Sequence, residues 1–263
     1  MLQGKEFFSP FKLTERFEIS TDSRIFRFEL PEDQALGIQL CHHLLVKVTP
    51  PGQTDPAVRR YTPISKINDY GFFDLLVKVY FKDTHAEYPA GGLVSQVLEG
   101  LKVGDMVEMA GPAWKHTYKG NGQFEIKTEK GLVERRVRHL GLIAGGSGIT
   151  PFFQIIQYVA MTRGEDLNIS LVYGNKSEAG ILLRQELEEF VAEQKLHLHL
   201  TVDSPQAGWT GGRGHFTKEM LQDRLPPPSK DVLICHCGTK PMNQYVRRLL
   251  SELGYSEDMI VKF

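Results

Sequence analysis

At 263 residues the chain exceeds the usual span of one domain, about 100–150 residues, so two compact units are expected. It is 41% hydrophobic and 24% charged, an ordinary globular balance, and 31 Lys plus Arg against 32 Asp plus Glu leave a net charge of −1. That near-neutrality argues against a globally basic nucleic-acid binder, and no run reaches the roughly 18 apolar residues that a spanning helix needs. The opening Met1-Leu2-Gln3-Gly4-Lys5 lacks the apolar centre of a signal peptide. The three cysteines, Cys41, Cys235 and Cys237, are few and odd in number, which fits reduced thiols and a cytoplasmic setting. Cys235 and Cys237 stand two apart with no second pair, a poor zinc spacing, so no metal is expected.

In chain order, short apolar stretches broken by Pro, Gly and Asp come first. Strands are expected over Ser9–Ile19, Arg24–Leu30, His43–Thr49, Phe72–Phe81 and Met106–Ala110. Such short strands with close turn signals suit a barrel or sandwich. A short buried helix is expected after Pro89, from Gly91 to Leu98. A polar stretch, Lys119–Arg138, holds the expected boundary: residues 1–126 form the first domain, 127–138 a linker and 139–263 the second. The second half alternates strand and helix. Leu140–Ala144, Asn168–Tyr173, Leu196–Val202, Asp231–Cys235 and Ile260–Phe263 read as strands. Pro151–Met161, Glu178–Gln194 (with Leu183, Leu187, Phe190 and Val191 on one apolar face) and the stripe Met242, Val246, Leu249, Leu250 and Leu253 read as helices, with Gly254 ending the last. This order implies a parallel sheet covered by helices.

Four segments carry chemistry. Leu142–Pro151 runs an apolar strand into Gly145-Gly146-Ser147-Gly148 and then a helix, with Thr150 as expected N-cap and Pro151 in the first turn. Small residues there let a phosphate approach free amides at a helix start. Pro151 stands where a strict G-x-G-x-x-G would need its third Gly, so a plain tight turn is the rival reading. Arg59-Arg60-Tyr61-Thr62-Pro63-Ile64-Ser65 sets a guanidinium, a ring and hydroxyls together, suiting a ligand with phosphates and a flat ring system; an exposed basic strand end is the bland alternative. Tyr88-Pro89-Ala90-Gly91-Gly92-Leu93-Val94-Ser95 opens a short helix with glycines and is either a second phosphate site or an ordinary helix start. Cys235-His236-Cys237-Gly238-Thr239-Lys240-Pro241-Met242 lies where a parallel strand ends, the place where such sheets bind ligands. A buried cysteine without a chemical role is the alternative there.

Together the four segments resemble, in order and spacing, the ferredoxin–NADP reductase superfamily, and most closely the NADH–cytochrome b5 reductase family, with the flavin domain of eukaryotic nitrate reductase nearly as near. The resemblance covers almost the whole chain. It implies an antiparallel FAD-binding β-barrel with one helix, followed by a parallel-sheet α/β domain that binds NADH. It implies that Arg59 and Ser95, with the amides of Gly92, Leu93 and Val94, hold the FAD diphosphate, and that Ser65 completes the Arg59-x-Tyr61-Thr62 motif. Tyr61 and Thr62 then lie along the flavin and ribityl chain, and Leu76, Lys78, Tyr80 and Phe81 line the same pocket, Lys78 also serving the nicotinamide nucleotide. His43 matches a family histidine that hydrogen-bonds the threonine, here Thr62, and relays a proton.

For the second domain the resemblance assigns Gly145, Gly146, Ser147 and Thr150 to the nucleotide phosphates and Asp203 to the adenosine ribose. Cys237, Gly238, Pro241 and Met242 fall to the nicotinamide end, with Cys237 aligning the ring rather than attacking it. A carboxylate at Asp203 accepts ribose hydroxyls and repels a 2′-phosphate, which favours NADH over NADPH. The implied activity passes electrons from NADH through FAD to a one-electron haem acceptor of the cytochrome b5 type. The alternatives are an excised nitrate reductase flavin domain and a non-catalytic FAD/NAD-binding redox sensor. No nucleic-acid partner and no membrane segment in this chain are expected, and the chain is expected to be monomeric, in the cytoplasm or on the cytoplasmic face of a membrane. Trp114, Leu93, Val94 and His215 depart from the usual pattern, Trp114 standing where relatives have Gly and His215 where they have Phe.

Overall fold

The computed structural model describes residues 2–84 and 89–263. Tyr88, the first residue of the third motif, lies outside the described residues. The chain divides into two compact units between Trp114 and Lys115.

The first unit contains β1 (Gly4–Ser20), β2 (Ser23–Glu29), β3 (His43–Val48), β4 (Ala57–Tyr61), β5 (Phe72–Lys78), α1 (Leu93–Glu99) and β6 (Met106–Ala113). They form one antiparallel sheet in the order β4-β3-β6-β1-β2-β5. Register shifts in β1, between Gly4 and Ser9 and again near Leu13 and Glu18, mark bulges that bend this long strand. The sheet is a half-barrel: its edges β4 and β5 touch without sharing a ladder. Period-2 alternation explains the inside. Phe26 and Phe28 of β2 and Phe73, Leu75 and Val77 of β5 point to one core, with Arg27, Asp74 and Lys78 on the opposite face. Phe73 stacks on Phe28 at 5.4 Å and meets Phe11 edge-on at 5.3 Å. Each such ring contributes roughly 1.5–3 kcal/mol by leaving water. α1 drops Val94 and Leu98, four residues apart, into this core.

The second unit opens with a three-stranded antiparallel sheet, β7 (His116–Gly120), β8 (Gln123–Thr128) and β9 (Gly131–Arg136). Gly120 pairs with Gln123, and both linking residues, Asn121 and Gly122, have positive φ, the Asn-Gly signature of a tight hairpin. The expected linker, residues 127–138, therefore holds a strand, and the boundary falls ahead of this sheet. The physical reason is Glu165 of the second unit: its carboxylate accepts the Tyr118 hydroxyl at 2.7 Å and the Asn121 amide at 2.9 Å, tying the hairpin in place.

A parallel α/β layer follows: β10 (His139–Gly145), α2 (Thr150–Met161), β11 (Asn168–Asn175), α3 (Arg184–Ala192), β12 (His197–Val202), β13 (Gly212–Arg213), α4 (Lys218–Arg224), β14 (Val232–Cys237), α5 (Lys240–Glu252) and β15 (Ile260–Lys262). The sheet order is β13-β12-β11-β10-β14-β15, every pair parallel. Leu140, Leu142, Ile143 and Ala144 are all buried, the continuous apolar run of a central parallel strand. Three expectations shift. The helix expected from Glu178 begins at Arg184, because Leu183 takes a left-handed φ of 56° after a 3₁₀ turn over Glu178–Gly180. On α3 only Leu187 is buried, and Val191 of the expected apolar face is exposed. The Thr150 hydroxyl donates to the Ser147 carbonyl at 3.2 Å instead of capping α2, since a 3₁₀ turn over Gly146–Ile149 already leads into that helix. No helix among the described residues is long and apolar enough to cross a membrane.

Candidate functional site

In the first unit the candidate residues gather along β4 and β5 and at the start of α1. β4 is an edge strand, so Arg59 and Tyr61, two apart, share one face of it. The Arg59 guanidinium donates to the Val58 carbonyl at 2.8 Å and is exposed, beside a surface cavity of about 550 Å³ lined by Leu45, Val58, Arg59 and Arg60. Burial pushes the Tyr61 phenol above its ordinary range, so it stays a neutral ring with a hydroxyl. The β3·β4 ladder ends on the pair Leu44–Tyr61, and His43 and Thr62 are the neighbours of that pair along their two chains. His43 pairs with Ala113 of β6. Next to it, His42 stacks against Trp114 at 5.8 Å with the rings 11° apart.

Two of the expected ligands do structural work. Ser65 accepts the Asp74 amide at 3.1 Å, which holds the loop after β4 to β5. Buried Ser95 accepts the Tyr80 amide at 3.2 Å, and the Gly92 amide donates to the Tyr80 carbonyl at 2.8 Å, so the first turn of α1 is laced to the chain leaving β5. Leu93 is exposed while the Val94 side chain is in the core, leaving only its backbone for a ligand. Leu76 is buried on the face that Asp74 and Lys78 share, and Tyr80 and Phe81 are partly buried. The Lys78 ammonium lies 2.6 Å from Asp22. Burial opposes the charge on Asp22, but Lys78 and the hydroxyls of Ser23 and Ser20 outweigh it and hold the carboxyl below its ordinary value.

The second unit brings its two glycine motifs together. Strands β11, β12 and β13 lie on one side of β10, whereas β14 and β15 lie on the other, so the chain reverses its direction of travel between β10 and β14. Ligands of open α/β sheets bind at the carboxyl ends of the strands at such a point. Ala144 pairs with Cys237 at that end. A Cβ on Gly145 would meet the Met242 sulfur at 2.4 Å, one on Gly238 the same sulfur at 2.2 Å, and one on Gly148 the Cys237 carbonyl oxygen at 2.3 Å. The three glycines thus allow the turns after β10 and β14 to close on one another around Met242. Buried Tyr173 supports the first turn by donating to the Gly146 carbonyl at 2.9 Å. Ser147 is partly buried there. Burial pushes the Cys237 thiol up to about 12, so it is a neutral thiol beside the turn and no nucleophile at neutral pH. Thr239 caps α5 by accepting the Met242 amide at 3.4 Å, with Pro241 in the first turn.

Sequence reading missed a supporting pair. The buried Asn243 side chain donates to the Gly238 carbonyl at 2.8 Å, and its oxygen lies 2.7 Å from His236 Nδ1. The available signal was a polar residue three positions before Val246 on the apolar stripe of α5. At the outer end of the same sheet edge, Asp203 follows β12 and its amide donates to the Asn175 carbonyl at 3.0 Å. Of the basic run before β10, Arg135 bonds Asp258 and Arg138 pairs with Asp231, so both serve the fold.

The donor sets fit two dinucleotides: a guanidinium, a ring and a glycine-started helix in one unit, a small-residue strand-end turn and a carboxylate in the other. The comparisons agree. Residues 10–118 match the family model of the oxidoreductase FAD-binding domain and residues 142–248 that of the oxidoreductase NAD-binding domain. The fold and site define an FAD- and NAD-binding oxidoreductase that transfers electrons. Over its whole length the chain is 38% identical to NADH-cytochrome b5 reductase 2 of Rattus norvegicus, covering 96% of that protein. It is 41% identical over 93% of its length to NADH-cytochrome b5 reductase 3 of the same species, covering 82% of that protein. The crystal structure of the cytochrome b5 reductase domain of Ulva prolifera nitrate reductase superposes with a TM-score of 0.91 at 32% identity, covering 99% of this chain and 98% of that one. The chain belongs to the NADH–cytochrome b5 reductase family.

Proposed function

We propose that the chain takes electrons in pairs from NADH and delivers them one at a time to a separate haem protein of the cytochrome b5 type, acting as a monomer on the cytoplasmic side. The observation that carries this reading is the closure of the two glycine turns around Met242 at the β10/β14 strand ends, in a chain whose other unit sets an exposed Arg59 and a partly buried Tyr61 on its edge strand. FAD, when bound, supplies the change from two-electron to one-electron transfer.

Arg59, the amides of Gly92, Leu93 and Val94, and Ser95 hold its diphosphate; charge-assisted bonds of this kind contribute roughly 1.5–3 kcal/mol each. Tyr61 and Thr62 orient the ring system, and Leu76, Lys78, Tyr80 and Phe81 wall it from water. His43, one residue from the Leu44–Tyr61 pair that ends the β3·β4 ladder, holds or moves a proton through the Thr62 hydroxyl. Gly145, Gly146, Ser147 and Thr150 receive the phosphates of the nicotinamide nucleotide, and Asp203 accepts its adenosine ribose hydroxyls. Cys237, Gly238, Pro241 and Met242 position the nicotinamide, the neutral thiol acting as a spacer.

The resemblance to the Ulva prolifera domain favours a second reading, in which the acceptor haem sits on a neighbouring domain of a longer chain. Stopped-flow reduction by NADH, followed by oxidation with purified cytochrome b5 at several salt concentrations, tests the proposal. Fast, salt-sensitive oxidation is expected of a charge-docked partner. Slow, salt-independent oxidation counts against a separate cytochrome b5. Bound FAD without NADH–ferricyanide turnover would instead mark a redox-sensing module.

A further inference from the structure

The face of β14 that meets α5 sets a polar pair into an apolar core. Alternation along the strand turns Cys235 and Cys237 one way and Ile234 and His236 the other. Ile234 packs with Val246 and Leu250 of α5. His236 meets the same helix at Asn243: the two residues are 1% and 4% exposed, and His236 Nδ1 stands 2.7 Å from Asn243 Oδ1. The other end of the asparagine, Nδ2, donates to the Gly238 carbonyl at 2.8 Å. A backbone carbonyl only accepts, so the end of the amide that faces it must be Nδ2, and Oδ1 is left to accept from His236. The proton of the neutral ring is therefore on Nδ1. Nε2, the acceptor of this tautomer, is buried and has no hydrogen-bond partner among the described residues. Burial lowers the pKa of the ring from its ordinary value, which agrees with a neutral imidazole.

Stability alone does not call for such a pair. Two apolar side chains of similar shape would fill the space without burying an unpaired nitrogen, and exchanges of that kind are nearly neutral or stabilising. What apolar side chains cannot do is hold a carbonyl. With Nδ1–H facing it, the Asn243 amide cannot turn over, because that would set donor against donor at one end and acceptor against acceptor at the other. The Gly238 carbonyl is thus held toward α5. Its peptide is planar and trans, so the Thr239 N–H is turned the opposite way. The same turn is closed in from two further directions, since a Cβ on Gly148 would stand 2.3 Å from the Cys237 carbonyl oxygen and one on Gly238 2.2 Å from the Met242 sulfur.

We propose that His236 and Asn243 are positioning residues for the nicotinamide half of NADH: the imidazole locks the asparagine amide, the amide fastens the Gly238 carbonyl, and the Cys237–Gly238 turn keeps the shape that receives the ring. The inference rests on the reading that Cys237, Gly238, Pro241 and Met242 form the nicotinamide end of the site. Neither side chain touches the nucleotide; each acts through the turn.

Calorimetry on the FAD-loaded protein tests this with two ligands, ADP-ribose and tetrahydro-NAD, a non-reacting analogue of NADH. The ratio of the two affinities isolates the nicotinamide half. His236→Leu and Asn243→Leu should each lower the preference for tetrahydro-NAD about threefold to tenfold, the worth of one net hydrogen bond, with ADP-ribose affinity unchanged. The double variant should fall no further than Asn243→Leu, because His236 reaches the turn only through Asn243. His236→Asn, which puts an N–H donor where Nδ1 stands, should restore most of the ratio. Nitrogen NMR of the unsubstituted, FAD-loaded protein labelled at histidine should show His236 with its proton on Nδ1, a readout that needs no variant to fold. An unchanged ratio in both leucine variants, equal weakening of both ligands, or an Nε2–H tautomer overturns the proposal. Gly238→Ala, which must displace Met242, separates the two levels. If it leaves the ratio unchanged, the nicotinamide reading itself fails. If it lowers the ratio while both leucine variants keep it, only the role of His236 and Asn243 fails.

Discussion

The Ser95 hydroxyl accepts the backbone amide of Tyr80 at 3.2 Å, so the residue assigned to the FAD diphosphate also fastens α1 to the chain leaving β5. Removing it takes from the Tyr80 N–H the hydroxyl that accepts it and takes one donor from the phosphate site. Ser95→Ala should therefore lower stability by roughly 1–3 kcal/mol and weaken FAD binding together. Denaturant unfolding of the FAD-free protein and fluorescence titration with FAD measure the two effects separately. Loss of FAD affinity with unchanged stability would show that the Tyr80 bond carries no weight.

A second prediction concerns the contact between the two glycine turns. The obstacle to a side chain at Gly148 is the Cys237 carbonyl oxygen, 2.3 Å from where a Cβ would stand, and backbone does not yield as a flexible side chain does. Gly148→Ala should cost about 1–3 kcal/mol of stability and raise KM for NADH, while the FAD content of the purified protein stays near normal. Gly145→Ala should be milder, since it meets the end of Met242, a side chain that can move. Equal effects of the two substitutions, read by urea midpoint and steady-state kinetics, would contradict this account of the turn.

How much of this was legible beforehand depended on the kind of signal. The half-barrel strands β1, β2, β5 and β6 and the central strands β10, β11 and β14 announce themselves because burial imposes a pattern on their residues. β4 and β9 do not. Ala-Val-Arg-Arg-Tyr is an edge with its polar groups in water, and Gly-Leu-Val-Glu-Arg-Arg is exposed at most positions, so neither needs an apolar period. α3 starts later than its apolar residues suggest for a related reason: Ile181, Leu182 and Leu183 are buried in a turn rather than on a helix face. The site shows the same divide. Arg59, Tyr61, the glycines and Cys237 are named by local motifs, whereas Lys78–Asp22, His236–Asn243 and His215–Asp203 are partnerships made by the fold.

Cys237 supplies a third prediction. Its thiol is raised to about 12 by burial, with Lys262 pulling weakly the other way, so almost none is thiolate at neutral pH. Alkylation by iodoacetamide, followed by mass spectrometry of the peptide containing it, should be slow at pH 7 and climb steadily to pH 10 without levelling off, because the thiolate is the reactive form. A plateau near about pH 8–9, the ordinary thiol range, would mean the sulfur is in a wetter or more positive setting. Cys237→Ala should lower kcat for NADH while leaving the thiol-independent fold intact.

Three histidines of the second unit link its stability to pH. His116, His199 and His236 all have lowered pKa values, and burial is the leading cause in each. The Lys262 carbonyl partly offsets the shift at His116 and Asn243 partly offsets it at His236. With the folded values below the ordinary 6.5, the unfolded chain binds more protons than the folded one as pH falls through that region. Stability should therefore be full above 6.5 and decline as acid takes the solution down toward the folded values, the opposite of what a histidine gaining an acidic partner would give. Urea midpoints measured in small steps from about pH 8 to pH 5 should fall with acid in the unsubstituted protein. They should fall less steeply in His236→Asn and His116→Gln, which have no proton to take up. Parallel slopes in all three proteins would show that these rings are hydrated and charge freely in the folded state.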